Sequence, residues 1–162
     1  MKAIAAMSEN RGIGKNGGLP WSSIKEDFKW FKEFTMGQTL VVGRTTFEKL
    51  PPLKNRKILV VYNNLPCDVF TYYGIYRDKY EDLFLRRLNE CEHTEWKDAI
   101  VAGGAKTYEL FLPHITEFYV THVKGVYDAD TYMPAFEHLF DKQEVIREFD
   151  GGHKVICYSK SI

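Results

Sequence analysis

Apolar residues along this chain come in short runs parted by polar and glycine-rich stretches. Ala3-Ile4-Ala5-Ala6-Met7, bounded by polar residues, reads as a buried strand. Residues 8–20 then carry Gly12, Gly14, Gly17 and Gly18 with neither a helical nor a strand period, which predicts a long mobile loop; such loops are functional or disordered. Ser22 or Ser23 can cap a helix running to about Met36. Its apolar positions Ile24, Phe28, Phe31 and Phe34 recur at helical spacing, and Gly37 follows as a stop. Residues 39–43 predict a strand, and 44–50 a short helix ended by Pro51-Pro52. A strand over 57–62, a turn at Asn63-Asn64-Leu65-Pro66, a strand over 69–73 and a helix over 80–89 follow. Residues 98–102 form a buried apolar strand reaching Gly103-Gly104, then a helix covers 105–112 and a strand 117–124. Two last strands, 143–149 and 154–159, meet at Asp150-Gly151-Gly152, a hairpin signal.

Strands alternate with helices until a β-only tail. The fold class this implies is α/β: one domain over residues 1–162, with a central, mostly parallel twisted sheet of about eight strands. It has an antiparallel C-terminal edge and about four flanking helices. The chain length of 162 residues fits one domain, and 44% hydrophobic residues suffice for its core. Acidic and basic residues balance at 22 each, which argues against nucleic acid or an anionic membrane as partner while leaving room for local basic pockets. Cys67, Cys91 and Cys157 match neither a disulfide framework nor a metal-ligand spacing, so reduced thiols and no metal are expected. Glu9 and Arg11 interrupt the N-terminal apolar stretch too early for a signal peptide, and residues 58–62 are too few to span a bilayer. The expectation is a cytoplasmic, soluble protein.

Chemistry concentrates in three places. Val42-Gly43-Arg44-Thr45-Thr46 and Val101-Ala102-Gly103-Gly104-Ala105-Lys106-Thr107 are strand-to-helix junctions where free amides point outward and glycine lets a phosphate approach. Arg44 adds a forked, permanent cation. The pair suits a ligand with separated phosphates such as a dinucleotide, or equally two ordinary tight turns; neither junction matches G-x-G-x-x-G. Asp27, Phe31 and Thr35 are spaced i, i+4, i+8 on one helix stripe flanked by Phe28 and Ile24. Asp27 is either an exposed edge residue or a carboxylate meeting a cationic or amidine-like group of a flat ligand. Arg56, presented by the stiff Pro51-Pro52-Leu53-Lys54-Asn55 loop, is either a surface residue or the captor of a carboxylate.

Together these pieces resemble one family, dihydrofolate reductase, over the full length. The motifs are Gly12-Ile13-Gly14 with Gly18-Leu19-Pro20-Trp21, then Asp27 with Phe31 and Thr35, Val42-Gly43-Arg44-Thr45-Thr46-Phe47-Glu48, and Pro52-Leu53-Lys54-Asn55-Arg56. Val101-Ala102-Gly103-Gly104-Ala105 with Tyr108, Tyr119-Val120-Thr121-His122 and Asp130-Thr131 complete the set. The resemblance implies reduction of 7,8-dihydrofolate with NADPH as cofactor, in a monomer that also binds antifolates. It implies that Asp27, supported by Thr121, bonds the pterin nitrogens, with Trp21 and Leu19 shaping the proton's route. Ile4, Ala5, Phe28, Phe31, Leu50 and Leu53 are implied to line the pterin and benzoyl sites, and Arg56 to hold the glutamate α-carboxylate. The nicotinamide is implied to lie across Ala6, Ile13, Gly14 and Gly18, near Tyr108. The pyrophosphate falls to Gly43, Thr45, Thr46 and the turn from Gly103 through Gly104, Ala105 and Lys106 to Thr107, where the family has a cis Gly-Gly bond. Arg44 is implied to face the 2′-phosphate, Tyr62 and Asn63 the adenosine, and residues 8–23 to form a lid.

Some positions depart from common patterns. Asp27 lies one residue further past Trp21 than in many bacterial members, a spacing that other branches share; Glu26, the competing carboxylate, lacks the i+4 relation to Phe31. Ala105 replaces a frequent third glycine. Thr45 stands where some members have a basic residue, so preference for NADPH over NADH leans on Arg44. A pyrimidine reductase of riboflavin synthesis would share the junctions but not the Trp21, Asp27 and Arg56 combination. A non-catalytic relative would lack the acid or the arginines.

Overall fold

The computed structural model describes residues 1–62, 72–77, 85–87 and 98–161, and for residues 62, 72–77 and 85–87 only the backbone. In chain order the described elements are β1 (Lys2–Ser8), β2 (Gly12–Gly14), α1 (Lys25–Thr35), β3 (Thr39–Gly43), α2 (Arg44–Lys49), β4 (Lys57–Tyr62), β5 (Tyr72–Arg77) and β6 (Leu85–Arg87). After them come β7 (Ile100–Val101), α3 (Ala105–Phe111), β8 (Glu117–Val123), β9 (Thr131–Tyr132), β10 (Lys142–Phe149) and β11 (His153–Ser159). Single 3-10 turns occupy Leu112–His114 and Glu137–Leu139.

One nine-stranded sheet runs in the order β10-β11-β8-β1-β7-β3-β4-β5-β6. Its five middle strands, from β8 to β4, are parallel, and antiparallel ladders flank them on both sides. The parallel strands carry apolar residues on both faces because both are covered, as parallel sheets require. Along β1 the alternation is direct: Ala3 and Met7 join the large cluster around Phe111, Phe118 and Phe136, while Ile4 joins Trp30, Leu40, Ile100 and Val155 on the opposite face. A third cluster, Val42, Phe47, Ile58 and Val60, seats α2.

The expected antiparallel tail is present, joined at residues 150–152, with a bulge between Val145 and Arg147 and β10 exposed along nearly its whole length. Three expectations need correction. Leu85–Arg87, inside the expected helix over 80–89, is a strand: the open edge of β5 offers Tyr72, Tyr73 and Gly74 as ladder partners, and pairing outweighs helix propensity. The rest of that span, residues 69–71 of the expected strand and the turn at 63–66 lie outside the described residues. Neither Ser22 nor Ser23 caps α1, whose cap residue is Ile24 with no side-chain bond. The core face of α1 is also wider than the expected stripe: Thr35 on it is buried, and so is Trp30 off it, whereas Phe28 is 53% exposed. Trp30 wins the core position because Phe34 at 5.1 Å and Tyr119 at 6.2 Å surround its ring, with the Arg147 guanidinium 5.0 Å over it.

No described helix is long and apolar enough to cross a membrane, and the described residues contain no cluster of metal-ligating side chains.

Phe118 is fully buried and meets the rings of Tyr108 at 5.5 Å and Phe136 at 4.8 Å. Phe118→Ala should therefore reduce unfolding free energy by about 3–5 kcal/mol, read as a lower urea midpoint.

Candidate active site

The register between β1 and β8 sets Ala6 opposite Thr121 near the carboxyl ends of two parallel strands. The first turn of α1 passes over this point and carries Asp27. Thr121 is buried, and its hydroxyl donates to Asp27 Oδ1 at 2.6 Å. Residues 94 positions apart are thereby joined across the sheet. Burial pushes the Asp27 carboxyl above its ordinary range, while the Thr121 hydroxyl and the charge of His153 pull it back. An acceptor so placed is suited to a donor-rich edge of a ligand.

The neighbouring positions divide by exposure. Phe28 is open, Phe31, Leu50 and Leu53 are half-buried against the second and third clusters, and Ala5 and Ala6 are half-buried on β1. Ile4 is buried in the second cluster, against which Phe31 and Leu53 also pack, and its carbonyl accepts from the buried Tyr108 hydroxyl at 2.7 Å. Trp21 is buried with its indole N–H unpartnered, while Leu19 two residues earlier is 41% exposed. Beyond the helix, Arg56 is anchored: Nη1 donates to Thr35 Oγ1 at 3.2 Å and Nε to the Lys54 carbonyl at 3.0 Å. Thr35 in turn donates to the Phe31 carbonyl at 2.7 Å, so the i, i+4, i+8 stripe ends by orienting the arginine.

The two junctions expected to receive phosphates lie side by side. Gly43 N–H donates to the Gly103 carbonyl at 2.8 Å, and the Gly103-Gly104 peptide is cis. A Cβ at Gly43 would sit 2.7 Å from Thr107 Oγ1, and one at Gly104 3.0 Å from Thr46 Oγ1, so bare backbone is needed where the two chains meet. Thr46 is half-buried, Thr45, Arg44 and Lys106 are exposed, Ala105 is half-buried, and Thr107 and Tyr108 are buried. The helices opening here have only 6 and 7 residues, so amides, hydroxyls and Arg44 contribute more than any macrodipole. Arg44 faces Glu48 at 3.8 Å, an exposed pair loose enough to yield to a phosphate. This donor set fits a pyrophosphate-bearing group. The Tyr62 side chain and Asn63 lie outside the described residues.

The family model for dihydrofolate reductase matches residues 1–155. The chain belongs to the dihydrofolate reductase family. Its members are NADPH-dependent oxidoreductases, and this reductase has curated relatives of matching length. It is 30% identical to dihydrofolate reductase type 8 of Escherichia coli over 165 residues, covering 99% of this chain and 95% of the relative. It is 33% identical to the dihydrofolate reductase of Bacillus subtilis over 135 residues, 83% and 75% of the two chains. The solved dihydrofolate reductase of Enterococcus faecalis, complexed with NADP(H) and RAB-propyl, superposes with a TM-score of 0.75 at 26% identity, covering 99% of this chain and 96% of that one.

The glycine-rich segment of the reductase is not the featureless loop that periodicity predicts. Gly12 and Gly14 pair with Tyr132 and Thr131, and the Asp130 N–H donates to the Gly14 carbonyl at 3.0 Å. Lys15 and Gly18 exchange two backbone bonds of 2.9 Å around Asn16-Gly17, both with positive φ, as a two-residue hairpin requires. Gly17, at φ +79°, lies against the flexible end of the Lys49 side chain of α2, while Ile13 packs against the large cluster. Arg11 bonds the carbonyls of Met133 and Pro134 and pairs with Glu137, while Lys15 meets Asp128 at 3.1 Å. The segment is thus zipped to residues 128–137. Asn16-Gly17 carried the signal for its tip, but nothing local in the sequence links Arg11 to Glu137.

Because Asp27 has a raised pKa when folded, the folded state binds more protons than the unfolded one, and stability falls as pH climbs from the ordinary value of 3.8 through the raised one. Asp27→Asn keeps an acceptor for Thr121 and removes the buried charge. Its melting temperature should exceed the parent's at pH 7, and the gap should close as pH falls toward 4; a pH-independent gap would refute burial as the cause.

Proposed function

We propose that this chain reduces 7,8-dihydrofolate to 5,6,7,8-tetrahydrofolate in the cleft between α1, the carboxyl ends of β1 and β8, and the lid. The observation that carries the proposal is the desolvated Asp27 carboxylate held by Thr121 at 2.6 Å beside the open Phe28 ring. The product feeds one-carbon metabolism and thymidylate synthesis. The working form is a cytoplasmic monomer, residues 1–162 acting as one reductase domain.

Bound NADPH supplies the hydride. Gly43, Thr45, Thr46 and the turn from Gly103 to Thr107 hold its pyrophosphate, and Arg44 meets the 2′-phosphate as a forked donor. Ala6, Ile13, Gly14 and Gly18 form the floor and rim of the nicotinamide site. Asp27 accepts from the pterin's amide and amino nitrogens, and its negative charge complements the cation that develops on the ring as the adjacent nitrogen takes a proton. The same carboxylate suits the amidine edge of an antifolate. Trp21, whose buried N–H lacks a protein partner, and Leu19 shape the route by which water brings that proton. Ile4, Ala5, Phe28, Phe31, Leu50 and Leu53 supply the apolar walls, and Arg56, steadied by Thr35, takes the glutamate α-carboxylate. Most of the acceleration is positioning of two flat rings in a site shielded from bulk water.

Mixing the protein with NADPH and dihydrofolate should deplete the nicotinamide absorbance; a folded protein that gives no turnover overturns the proposal. Asp27→Asn should lose most activity at neutral pH and recover part of it in acid, where substrate arrives already protonated. Arg44→Ala should raise the Kd of NADPH by about tenfold or more, the loss of a charge-assisted pair, and leave NADH nearly untouched. Equal weakening of both would remove the 2′-phosphate from Arg44.

A further inference from the structure

Trp21 lies near the end of the lid, and its ring neighbour comes from outside every motif named above. That neighbour is Tyr127, with centroids 6.1 Å apart and planes at 63°, an edge-on contact. Tyr127 lies between β8 and β9 and is gripped by one side chain through both of its own backbone groups. Its N–H donates to Asn10 Oδ1 at 3.3 Å, and its carbonyl accepts from Asn10 Nδ2 at 2.7 Å. Asn10 is itself oriented: Ser8 Oγ donates to Oδ1 at 2.5 Å and accepts the Gly12 N–H at 3.0 Å. The relay therefore starts at the buried end of β1, a rigid central strand. A Cβ at Gly125 would come within 3.0 to 3.3 Å of Cε2, Cζ and the hydroxyl of Tyr127, so the tyrosine rests on bare backbone. The Tyr127 hydroxyl donates to the Lys124 carbonyl at 3.3 Å.

We propose that Tyr127, fixed by Asn10, is a positioning residue that holds the Trp21 indole in the active-site cleft. The proposal rests on the proton-route role given to Trp21 above. A buried N–H without a protein partner is costly, and such a group turns toward solvent unless packing forbids it. The Tyr127 ring, packed on Gly125 and meeting the indole edge-on, blocks that turn. The restraint comes from the ring and not from its hydroxyl, so phenylalanine can replace it and leucine cannot.

The test follows the Trp21 indole ¹H–¹⁵N signal in the NADPH-bound enzyme, assigned by its loss in Trp21→Leu, together with turnover of dihydrofolate. Tyr127→Phe should leave the signal in place. Tyr127→Leu should shift or broaden it while the Trp30 signal stays, and should lower kcat/KM for dihydrofolate about tenfold, the scale of a small misplacement in a reacting site. Asn10→Ala should do the same more weakly. In a Trp21→Leu background the Tyr127→Leu change should cost less than about twofold, because a residue acting through another loses its effect when that other is gone. An unmoved indole signal in Tyr127→Leu, or a full tenfold loss in the Trp21→Leu background, overturns the assignment. If Trp21→Leu alone costs no activity, the proton-route role fails, and the indole signal still decides whether Tyr127 holds the ring.

Discussion

A carboxylate held away from water against a threonine hydroxyl is the constraint around which this reductase is arranged. Asp27 has its burial working against its charge, with the 2.6 Å bond from Thr121 offsetting part of that penalty. Thr121 can reach it only because β8 runs parallel to β1 in a register that sets Thr121 beside Ala6, and because α1 crosses just there. Shifting the register by one residue would turn Thr121 to the other face of the sheet. The central strands, their apolar faces and the seat of α1 on Trp30 therefore all serve one polar contact. An unmet electrostatic cost of this kind, retained in a site, is what a binding energy for a complementary ligand is built from.

How far the residues themselves announced this depended on how local each signal is. β1, β3, β4, α1 and the terminal hairpin were legible because each carries its own apolar period and its own stop, such as Gly37 or the turn at residues 150–152. Asp27 was visible as an oddity, but helical spacing alone could not separate a ligand-facing carboxylate from an exposed edge residue. The family resemblance implies the first, and the bond from Thr121 agrees with a carboxylate drawn away from the edge. Trp30 does not stand out in the sequence as the core anchor of α1, because the phenylalanine stripe is more regular and its place depends on the rings of Phe34 and Tyr119 and the cation of Arg147. Leu85–Arg87 could not be read as a strand from its own residues, since its structure is dictated by the free edge of β5.

Residues 8–23 are where a local reading is weakest, because the ties that hold them reach far along the chain. Arg11 with Glu137, Lys15 with Asp128 and the Asn16 amide on Asp130 are polar pairs between distant stretches, each modest alone. Together with the Gly12–Gly14 ladder they register the segment against residues 128–137 in a single alignment. Sequence periodicity has no vocabulary for such ties, because none repeats and none is apolar.

The bulge in β10 carries a consequence of a different sort. Eight residues of a sheet's outermost strand, almost all open to solvent, would ordinarily be a template on which a second copy could extend the sheet. The register break between Val145 and Arg147 interrupts the even spacing of free amides and carbonyls, and Lys142, Glu144, Arg147 and Glu148 stud the strand with charge of both signs. A neighbour zipping onto this border would meet a broken ladder and unmatched ions, so the exposed margin discourages the fibrous stacking its length would otherwise invite.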